Sequence, residues 1–530
     1  MPTLEWIGKD KVVNHHQEVP YRVLERQYSY DGAGQHAEDN GSENMIIHGD
    51  NLEALKALLP RYEGRVKCIY IDPPYNTGNE GWIYNDNVND PKIRKWLGEV
   101  VGKEGEDLTR HDKWLCMMYP RLKLLQKLLA EDGVVFISID DREQVSLRMI
   151  CNEIFGEHNF LAQFIWQKRT SPDMRKLVST AHEYICAYSK NIAFLTSAIN
   201  KVALSEEDAA NYKNPDNDPR GPWASSDFTA QGYRPNQMYE IVTPGGARYT
   251  PPEGRCWKNI ESEFIKQRDD GRIWFGADGM GIPRRKTYLS EREGKNVWTW
   301  WDNKSVGHTQ EATKEISKIF STPTAFDYPK PVRLVQRIIQ IATSKDSIIL
   351  DSFAGSGTTA HAVLNMNKAD GGNRKFILVE MMDYADSITA ERVRRVIRGY
   401  GEGKNAVDGT GGSFSYYELG PVLLLPDGNL NEEVGPQKIR EYVYYMETKE
   451  PLPAEQPKDE PYFMGLCRNT AYYFYYERES VTTLDHAFLA TIQTKAEGYT
   501  IYADLCAIPQ ETLRKHNITF KKIPRDIARL

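Results

Sequence analysis

Short apolar runs alternate with amphipathic segments over much of the chain, and this alternation predicts strands that alternate with helices. Residues 45–47 predict a strand, and leucines follow at helical spacing at positions 52, 55, 58 and 59. The same reading predicts strands at 66–71, 134–139 and 183–188 and helices at about 113–129 and 142–155.

Residues 195–325 interrupt this rhythm, because they are rich in Trp, Tyr, Pro, Gly and Arg and predict short strands and many turns. The rhythm returns with a helix at 332–341 and with strands at 347–350 and 376–379 that flank another helix. Strands that alternate with helices in this way predict a mostly parallel, doubly wound sheet covered on both faces. The interrupting segment would then form a separate lobe.

The two ends of the chain carry weaker patterns. Residues 1–40 are polar and predict an extended, poorly packed arm. A Gly-rich linker at 401–412 precedes a tail domain, whose last residues predict a strand–helix–strand unit near 499–522.

Composition narrows the class of protein. The chain is 40% hydrophobic and 27% charged, which is typical of a globular protein, and no window approaches eighteen uninterrupted apolar residues, which argues against a membrane span. The seven cysteines are scattered, without a CxxC pair or a His/Cys cluster, which indicates reduced thiols in the cytoplasm and no metal site. Because the net charge is −7, any surface that binds nucleic acid must concentrate its basic residues locally.

The first candidate site, Asp72-Pro73-Pro74-Tyr75, directly follows a predicted buried strand. An exocyclic base amine is a poor nucleophile, because its lone pair is delocalised into the ring. The Asp72 carboxylate and the Pro73 carbonyl can accept its two hydrogens and free that lone pair, and Tyr75 offers a plane on which a base can stack. An enzyme that acts on a base edge must first extrude the base, so the motif predicts a pocket for a flipped base. An isolated Asp-Pro-Pro is as readily a plain turn.

The second candidate site is the glycine-rich turn at 351–359, which follows an apolar strand and opens a helix. Glycines let the backbone approach a ligand closely, and a helix N-terminus favours negative charge. Glu380 lies 23 residues after Gly357, at the end of the next strand, where a carboxylate can accept hydrogen bonds from ribose hydroxyls. A P-loop is excluded, because no Gly-Lys-Ser/Thr follows the turn.

These two sites resemble those of the amino-methyltransferases of restriction–modification systems. Asp72 to Tyr75 resembles their catalytic motif, and residues 353–357 resemble their S-adenosylmethionine loop. The catalytic motif precedes the cofactor loop with a long insert between them, which is the order of the β class. The chain resembles most the modification (Mod) subunit of Type III systems, and the supporting stretches are 6–9, 48–52, 76–78, 136–141, 182–184, 328–331 and 377–380.

The resemblance implies a Rossmann-like α/β fold with an antiparallel edge hairpin, and S-adenosylmethionine as the cofactor. It implies that Asp72, Pro73, Pro74 and Tyr75 form the catalytic pocket. It places Asp50 at the cofactor adenine, Glu380 at its ribose, and Lys330 and Pro331 beside its carboxylate. The residues implied around the rest of the cofactor are Asp351, Phe353, Ala354, Gly355, Gly357 and Thr358.

The resemblance also implies a domain order. An N-terminal arm (1–40) would precede the catalytic half of the methyltransferase domain (41–195), a target-recognition insert (196–322) and the cofactor-binding half (323–400). A C-terminal α/β domain (401–530) would dimerise the chain or dock a partner.

Basic clusters are the candidates for DNA phosphate contacts, which position a protein without reading sequence. The candidate residues are Lys168, Arg169, Arg175, Lys176, Arg284, Arg285 and Lys286. A short charge cluster is more often a solvated face. Trp82, Tyr84 and Trp114 are candidates to line the base pocket, with a place in the core as the alternative.

The leading hypothesis is methylation of adenine N6 in double-stranded DNA, by the chain alone or with a separate ATP-dependent restriction (helicase) subunit. Cytosine N4 is the alternative target, although a serine in place of Asp72 is commoner there. A DNA-recognition subunit of a helicase–nuclease complex that has lost transfer is a further alternative, against which Asp72, Tyr75 and Glu380 argue. An NAD-linked oxidoreductase would leave Asp72 to Tyr75 without a task.

Overall fold

The structure is a computed structural model that describes residues 3–76, 110–194, 199–322, 325–455 and 457–529. The chain forms two compact units. The larger comprises Met1–Asn200 and Trp298–Leu530, and the smaller comprises Lys201–Val297.

The larger unit is built on an eleven-stranded sheet. Its strands in chain order are β1 (Arg22–Asp31), β2 (Gly34–His36), β3 (Met45–His48), β4 (Val66–Ile71), β5 (Leu129–Ile139), β6 (Phe160–Gln167), β7 (His182–Ser189), β8 (Trp300–Trp301), β9 (Ile348–Asp351), β10 (Lys375–Glu380) and β11 (Phe414–Val422). Their spatial order is β8-β6-β7-β5-β4-β9-β10-β3-β11-β1-β2. The six central strands from β5 to β11 pair in parallel. The predicted mostly parallel sheet is therefore confirmed.

Helices cover this sheet on both faces. They are α1 (Asn51–Tyr62), α2 (Arg110–Leu128), α3 (Gln144–Phe155), α4 (Thr309–Phe320), α5 (Val332–Ala342), α6 (Thr358–Asp370) and α7 (Glu391–Arg398). Side chains alternate across a strand, so Ile69 and Ile71 of β4 join the apolar core with α1, α2 and α3. Cys68 and Tyr70 are also buried and point to the other face, where α5 packs on β4.

The edge hairpin implied by the resemblance is present. Strand β7 pairs antiparallel with both β5 and β6. Strand β6 therefore runs in the same direction as β4 and β5, and the three strands end at the same edge of the sheet. The β6–β7 connection lies at that edge, beside the residues that follow β4 and β5.

Residues of the expected N-terminal arm and of the expected C-terminal domain both contribute strands to the large sheet. Strand β11 pairs in parallel with β3 and antiparallel with β1. Val23 and Tyr28 of β1 are buried, so residues 22–31 differ from the expected poorly packed arm, because the unpaired edge of β11 provides them with a strand partner. Part of the expected C-terminal domain thus belongs to the central sheet.

Beyond β11, the C-terminal residues form a second sheet. Its strands are β12 (Phe463–Cys467), β13 (Thr470–Phe474), β14 (Gly498–Ala503) and β15 (Ile518–Lys522), which lie in that order. The helix α8 (Pro436–Thr448) packs against it, and α9 (Gln510–Lys515) connects the parallel strands β14 and β15. This is the strand–helix–strand unit that the sequence predicts near 499–522.

The smaller unit has its own core. Its three-stranded sheet orders Ile273–Trp274, Arg284–Tyr288 and Trp223–Asp227 side by side, and the helix Glu261–Asp269 contributes Phe264 to the core. This unit lies within the expected insert of 196–322 but ends earlier. The reason is that β8 pairs with β6, which places residues from Trp298 onward in the larger unit.

Candidate active site

The two predicted sites lie side by side at one edge of the sheet. Strands β4 and β9 are neighbours in parallel, with Leu350 opposite Ile69, so their carboxyl ends point the same way. Asp72 follows β4 directly, and Asp351 and Glu380 are the last residues of β9 and β10. Carboxyl ends of parallel strands are the usual place for ligands in such folds.

Asp72 and Lys330 form the centre of a buried charged cluster. The Lys330 ammonium lies 2.7 Å from Asp72 Oδ2 and 3.6 Å from Glu183 Oε2. It also lies over the ring of Tyr75, 4.9 Å from the ring centroid. Asp72 and Lys330 therefore meet although 258 positions separate them in the chain.

Glu183 joins the same cluster from strand β7. Its Oε2 accepts a hydrogen bond of 3.1 Å from the Tyr75 hydroxyl, and its Oε1 pairs with the Lys168 ammonium at 2.8 Å. Burial would raise the pKa of Glu183, but Lys330 and Lys168 hold that pKa below its usual value. Glu183 therefore stays ionised and fixes the Tyr75 hydroxyl.

The Asp72 carboxyl is tuned in the opposite direction. Burial raises its pKa above the usual value, the Lys330 ammonium opposes that rise, and the neighbouring Glu183 carboxylate adds to it. A carboxylate with a raised pKa is a stronger proton acceptor than an exposed aspartate.

The backbone after Asp72 is held rigidly. Trp114 of α2 donates its indole N–H to the Pro74 carbonyl at 2.6 Å, and it is fully buried. Asn76 has a φ of 58° and donates to Glu143, which also meets His111. Trp114 thus supports the motif from behind, while Trp82, Tyr84, Thr77 and Gly78 lie outside the described residues.

A cavity of about 600 Å³ opens onto this cluster. Asp72, Pro73 and Tyr75 line one part of it, and Trp166, Glu183 and Lys330 line another. Other lining residues come from the β6–β7 connection and from α4, among them Arg169, Ser171, Pro172, Asp173, Arg175, Thr309 and Thr313. Its size is that of a small-molecule site, and it combines an aromatic plane with a carboxylate acceptor.

The glycine-rich turn is closely packed behind Asp72. The Glu380 carboxylate accepts the Gly355 N–H at 2.8 Å and the Met382 N–H at 3.0 Å. Burial raises the pKa of Glu380 and that of Asp351 to about 7 each. Two carboxyl groups thus lie buried beside the turn, where a polar ligand could compensate their lost hydration.

The turn's backbone conformation requires glycine. Gly355 and Gly357 have φ values of 54° and 81°, and a Cβ at Gly357 would lie 3.0 Å from the Thr389 carbonyl oxygen. Thr358 begins α6, and Arg392 donates to the hydroxyls of Ser356 and Thr358 at 2.8 Å. Phe353 and Ala354 are buried within the turn.

Asp50 lies two residues after the end of β3 and caps the helix that follows. Its Oδ1 accepts the backbone N–H groups of Leu52 and Glu53 and caps α1, and its Oδ2 lies 3.3 Å from Arg121. Pro331 directly precedes α5 and keeps Lys330 at the N-terminal end of that helix.

The basic residues predicted to contact DNA differ in burial and in their partners. Lys168 lies in the charged cluster at Glu183, whereas Arg169 and Arg175 line the cavity and Lys176 is exposed. In the smaller unit Arg284 and Arg285 are exposed, but Lys286 is buried between Asp216 and Asp218. Lys286 would have to break that pairing to meet a phosphate, so it leaves the set of DNA-contact candidates.

Glu183 is the site residue that pattern reasoning missed. It stands in the stretch His182-Glu183-Tyr184, which supported the resemblance without a role. A glutamate near the start of a buried strand is the signal that could have found it, since buried carboxylates are rarely left unpaired.

Other expectations concern the chain as a whole. All seven cysteines are free. Within the described ranges, no three His, Cys, Asp or Glu side chains are grouped to hold a metal ion. No helix among those ranges is both long and apolar enough to span a bilayer.

Comparison with known proteins supports the resemblance. The family model described as "DNA methylase" matches residues 66–391. The StyLTI Mod subunit of a Type III restriction-modification enzyme from Salmonella typhimurium is 36% identical over 74% of this chain and 62% of its own length. The EcoPI Mod subunit of Escherichia phage P1 is 33% identical over 71% of this chain and 63% of its own length.

A third relative, the Type II methyltransferase M.KpnI of Klebsiella pneumoniae, is 33% identical over 64% of this chain and 81% of its own length. The matches to the two Mod subunits thus span less than two thirds of those proteins. The family match covers both the Asp72 motif and the glycine-rich turn, and the predicted resemblance is confirmed: the chain belongs to the DNA methylase family.

Proposed function

We propose that this chain transfers a methyl group from S-adenosylmethionine to the N6 amine of an adenine that is extruded from double-stranded DNA. The observation that carries the proposal is the cavity in which Asp72, Tyr75 and Glu183 converge on Lys330, beside the strand ends that hold Asp351 and Glu380.

The residues around the glycine-rich turn fit S-adenosylmethionine. Two buried carboxyl groups, Asp351 and Glu380, suit the hydroxyls and amine of such a ligand. The Ser352 hydroxyl is buried without a hydrogen-bond partner among the described residues. When bound, the cofactor would supply an electrophilic methyl group on a sulfonium. Asp351, Phe353, Ala354, Gly355, Gly357, Thr358 and Glu380 would hold it, with Lys330 and Pro331 at its carboxylate.

The cavity residues would prepare the amine. The Asp72 carboxylate and the Pro73 carbonyl accept the two amine hydrogens, which directs the nitrogen lone pair out of the ring plane. The Tyr75 ring stacks on the base, and Glu183 holds the Tyr75 hydroxyl so that the ring keeps its place.

Asp72 would then remove the extra proton. The amine nitrogen becomes positive as its new bond forms, and a preorganised carboxylate stabilises that charge. The raised pKa of Asp72 lets it take the proton from this nitrogen. Lys330 stabilises the ionised carboxylate before the step and again once Asp72 has released that proton to solvent.

The deciding experiment follows methyl label from S-adenosylmethionine into duplex DNA. The wild-type chain should transfer label, and Asp72→Ala should lose at least about 10³-fold in rate while it still binds the cofactor, because Asp72 stabilises the charged nitrogen. Asp346→Ala, which removes an exposed aspartate, is the matched control and should keep full activity. Full activity in Asp72→Ala would refute the mechanism.

Digestion of the labelled DNA identifies the base. We expect N6-methyladenine, since Asp72 stands where a serine is commoner in cytosine enzymes. N4-methylcytosine would overturn the adenine assignment. DNA binding by the wild-type chain without any label would instead favour a recognition subunit that has lost transfer.

We further propose that the chain acts as the modification component of a restriction–modification system. The names of the Mod relatives, which are subunits of Type III restriction-modification enzymes, support this proposal. A separate ATP-dependent restriction subunit is the partner that we propose. We also propose that residues 196–322 recognise the target sequence and that residues 401–530 dimerise the chain or dock a partner. Light scattering of the purified chain would measure whether it forms a homodimer.

A further inference from the structure

Three of the most exposed large apolar side chains lie on the connection between β6 and β7, residues 168–181. Met174 and Val178 are 90% and 86% exposed, and Leu177 is fully exposed. No other large hydrophobic side chain of the described residues is as exposed as any of these three. Apolar side chains gathered at one exposed tip indicate a surface that is buried on binding.

The connection is a defined loop whose ends and middle are tied together. Lys168 and Arg169 donate backbone N–H bonds to the Ala181 carbonyl at 2.9 and 3.3 Å. Further along, the Asp173 N–H donates to the Ser179 hydroxyl at 2.8 Å, so residues 174–178 form the tip of a closed hairpin. The tip is therefore held out from the body by bonds below it.

The base of this loop is part of the active-site cavity. Ser171, Pro172, Asp173 and Arg175 line the cavity together with Asp72 and Tyr75. Lys168, at the start of the loop, pairs with Glu183, which holds the Tyr75 hydroxyl. The apolar tip is thus continuous with the wall of the pocket in which the proposed reaction takes place.

The loop also carries basic side chains. Arg175 and Lys176 lie within the tip and Arg169 lies near the start of the loop, and Asp173 is the single acidic residue of residues 168–181. Asp173 pairs with Arg175 at 2.9 Å, so the loop keeps a positive excess. A loop whose tip combines apolar and basic side chains matches a partner that is anionic outside and apolar inside, which describes the stacked bases of duplex DNA behind their phosphates.

We propose that Met174, Leu177 and Val178 insert into the duplex at the target base pair and occupy the space that the extruded base leaves, while Arg169 and Lys176 contact the flanking phosphates. This inference rests on the proposed function. Apolar wedges that enter between base steps lower the cost of separating them, since they replace the lost stacking.

The test compares two triple variants. Met174→Ser, Leu177→Ser and Val178→Ser together remove the apolar tip. The matched control, Leu466→Ser, Val481→Ser and Leu505→Ser, removes three exposed apolar side chains elsewhere in the larger unit, of which Val481 is 71% exposed. The substrates are two duplexes that carry the motif found methylated in the DNA of cells that express the chain. One has a normal target pair, and the other has an abasic site opposite the target base.

We expect the tip variant to lose at least tenfold in kcat/KM on the normal duplex and less than threefold on the abasic duplex, where extrusion costs less. With 2-aminopurine as the target base, the fluorescence rise on binding should fall in parallel, while cofactor binding and the control variant stay at wild-type values.

Equal losses on both duplexes, or wild-type rates on the normal duplex, would overturn the insertion. If the DNA of cells that express the chain carries no methylated motif, the proposed function itself is refuted, which distinguishes the two failures.

Discussion

Two lysines of this protein, one partly buried and one fully buried, each lie between two carboxylates, yet their surroundings differ. Lys330 of the larger unit lies between Asp72 and Glu183 and lines a cavity of about 600 Å³. Lys286 of the smaller unit pairs with Asp216 and Asp218 and is 5% exposed. Each cluster therefore contains one lysine between two carboxylates, so the residue types and their charges do not distinguish the two clusters.

The pKa of the central aspartate distinguishes them. Hydrogen bonds from Arg220, Tyr288 and Lys286 hold the pKa of Asp218 far below its usual range, so its charge is fully compensated. Burial raises the pKa of Asp72 despite Lys330, so its charge remains undercompensated. A saturated ion cluster stabilises a fold, whereas an unsaturated one beside a cavity has capacity left for a substrate.

The largest effect is expected from Lys286→Met. It leaves Asp216 and Asp218 without their shared cation in a buried place and should destabilise the smaller unit by about 3–5 kcal/mol. Hydrogen exchange of the strands Trp223–Asp227 and Arg284–Tyr288 measures this loss. Lys295→Met, which breaks a half-exposed pair with Asp208, is the control and should change exchange little. Unchanged protection from hydrogen exchange in Lys286→Met would show that this cluster does not stabilise the smaller unit.

The next effect concerns Lys330→Met. Without the ammonium, Asp72 and Glu183 repel each other in a buried place, and Asp72 becomes a poorer anionic acceptor. Methyl transfer should fall about 100-fold, the scale of one lost electrostatic partner in an active site. The thermal midpoint, followed by circular dichroism, should change far less than in Lys286→Met. The comparison would be contradicted if Lys330→Met strongly lowered the stability of the protein but left the specific activity of the folded fraction unchanged.

The pH dependence should separate the clusters by direction. Asp72 must be ionised to accept the amine hydrogens, and its pKa is raised, so transfer should decline on acidification at a higher pH than an ordinary aspartate would cause. In Lys330→Met this acidic limb should move to higher pH, because the ammonium normally lowers the Asp72 pKa. Rate–pH profiles of the two proteins measure the shift, and superimposable profiles would contradict it.

Asp218 should respond in the opposite sense. Its folded pKa lies below the unfolded value, so its contribution to stability is present above the unfolded pKa and is lost as the pH falls through and below that value. Asp218→Asn should therefore be less stable than wild type at pH 7, with a difference that narrows on acidification. Urea unfolding between pH 3 and pH 7 tests this, and a constant difference would argue against the linkage.

The smallest effect is expected from Lys168→Met. Lys330 still faces Glu183, so the loss of Lys168 should raise the Glu183 pKa only in part and loosen the Tyr75 hydroxyl. We expect about a tenfold loss in methyl transfer, mostly in kcat/KM. Lys404→Met, at an exposed position of the larger unit, provides a comparison in which the Tyr75 pocket is untouched. A loss equal to that of Lys330→Met would mean that both lysines act on Asp72 alike.

The sequence by itself determined the parallel sheet, the two motifs and their order, because apolar periodicity and the backbone demands of Pro and Gly are local properties. It also determined the family, since Asp72 to Tyr75 and residues 351–359 each form a contiguous motif. Lys330 was predicted as a site residue only through the resemblance, which placed it beside the carboxylate of the cofactor.

Only the tertiary structure decided which charged residues belong together. Glu183 meets Tyr75, and Lys168 meets Glu183, because β7 runs antiparallel to β5, which brings the β6–β7 connection to the edge where β4 ends. Lys286 is removed from the DNA-contact candidates because its strand faces Asp216 and Asp218 across the small unit. Ion pairing and burial depend on contacts between residues distant in the chain, and local patterns of charge carry no information about such contacts.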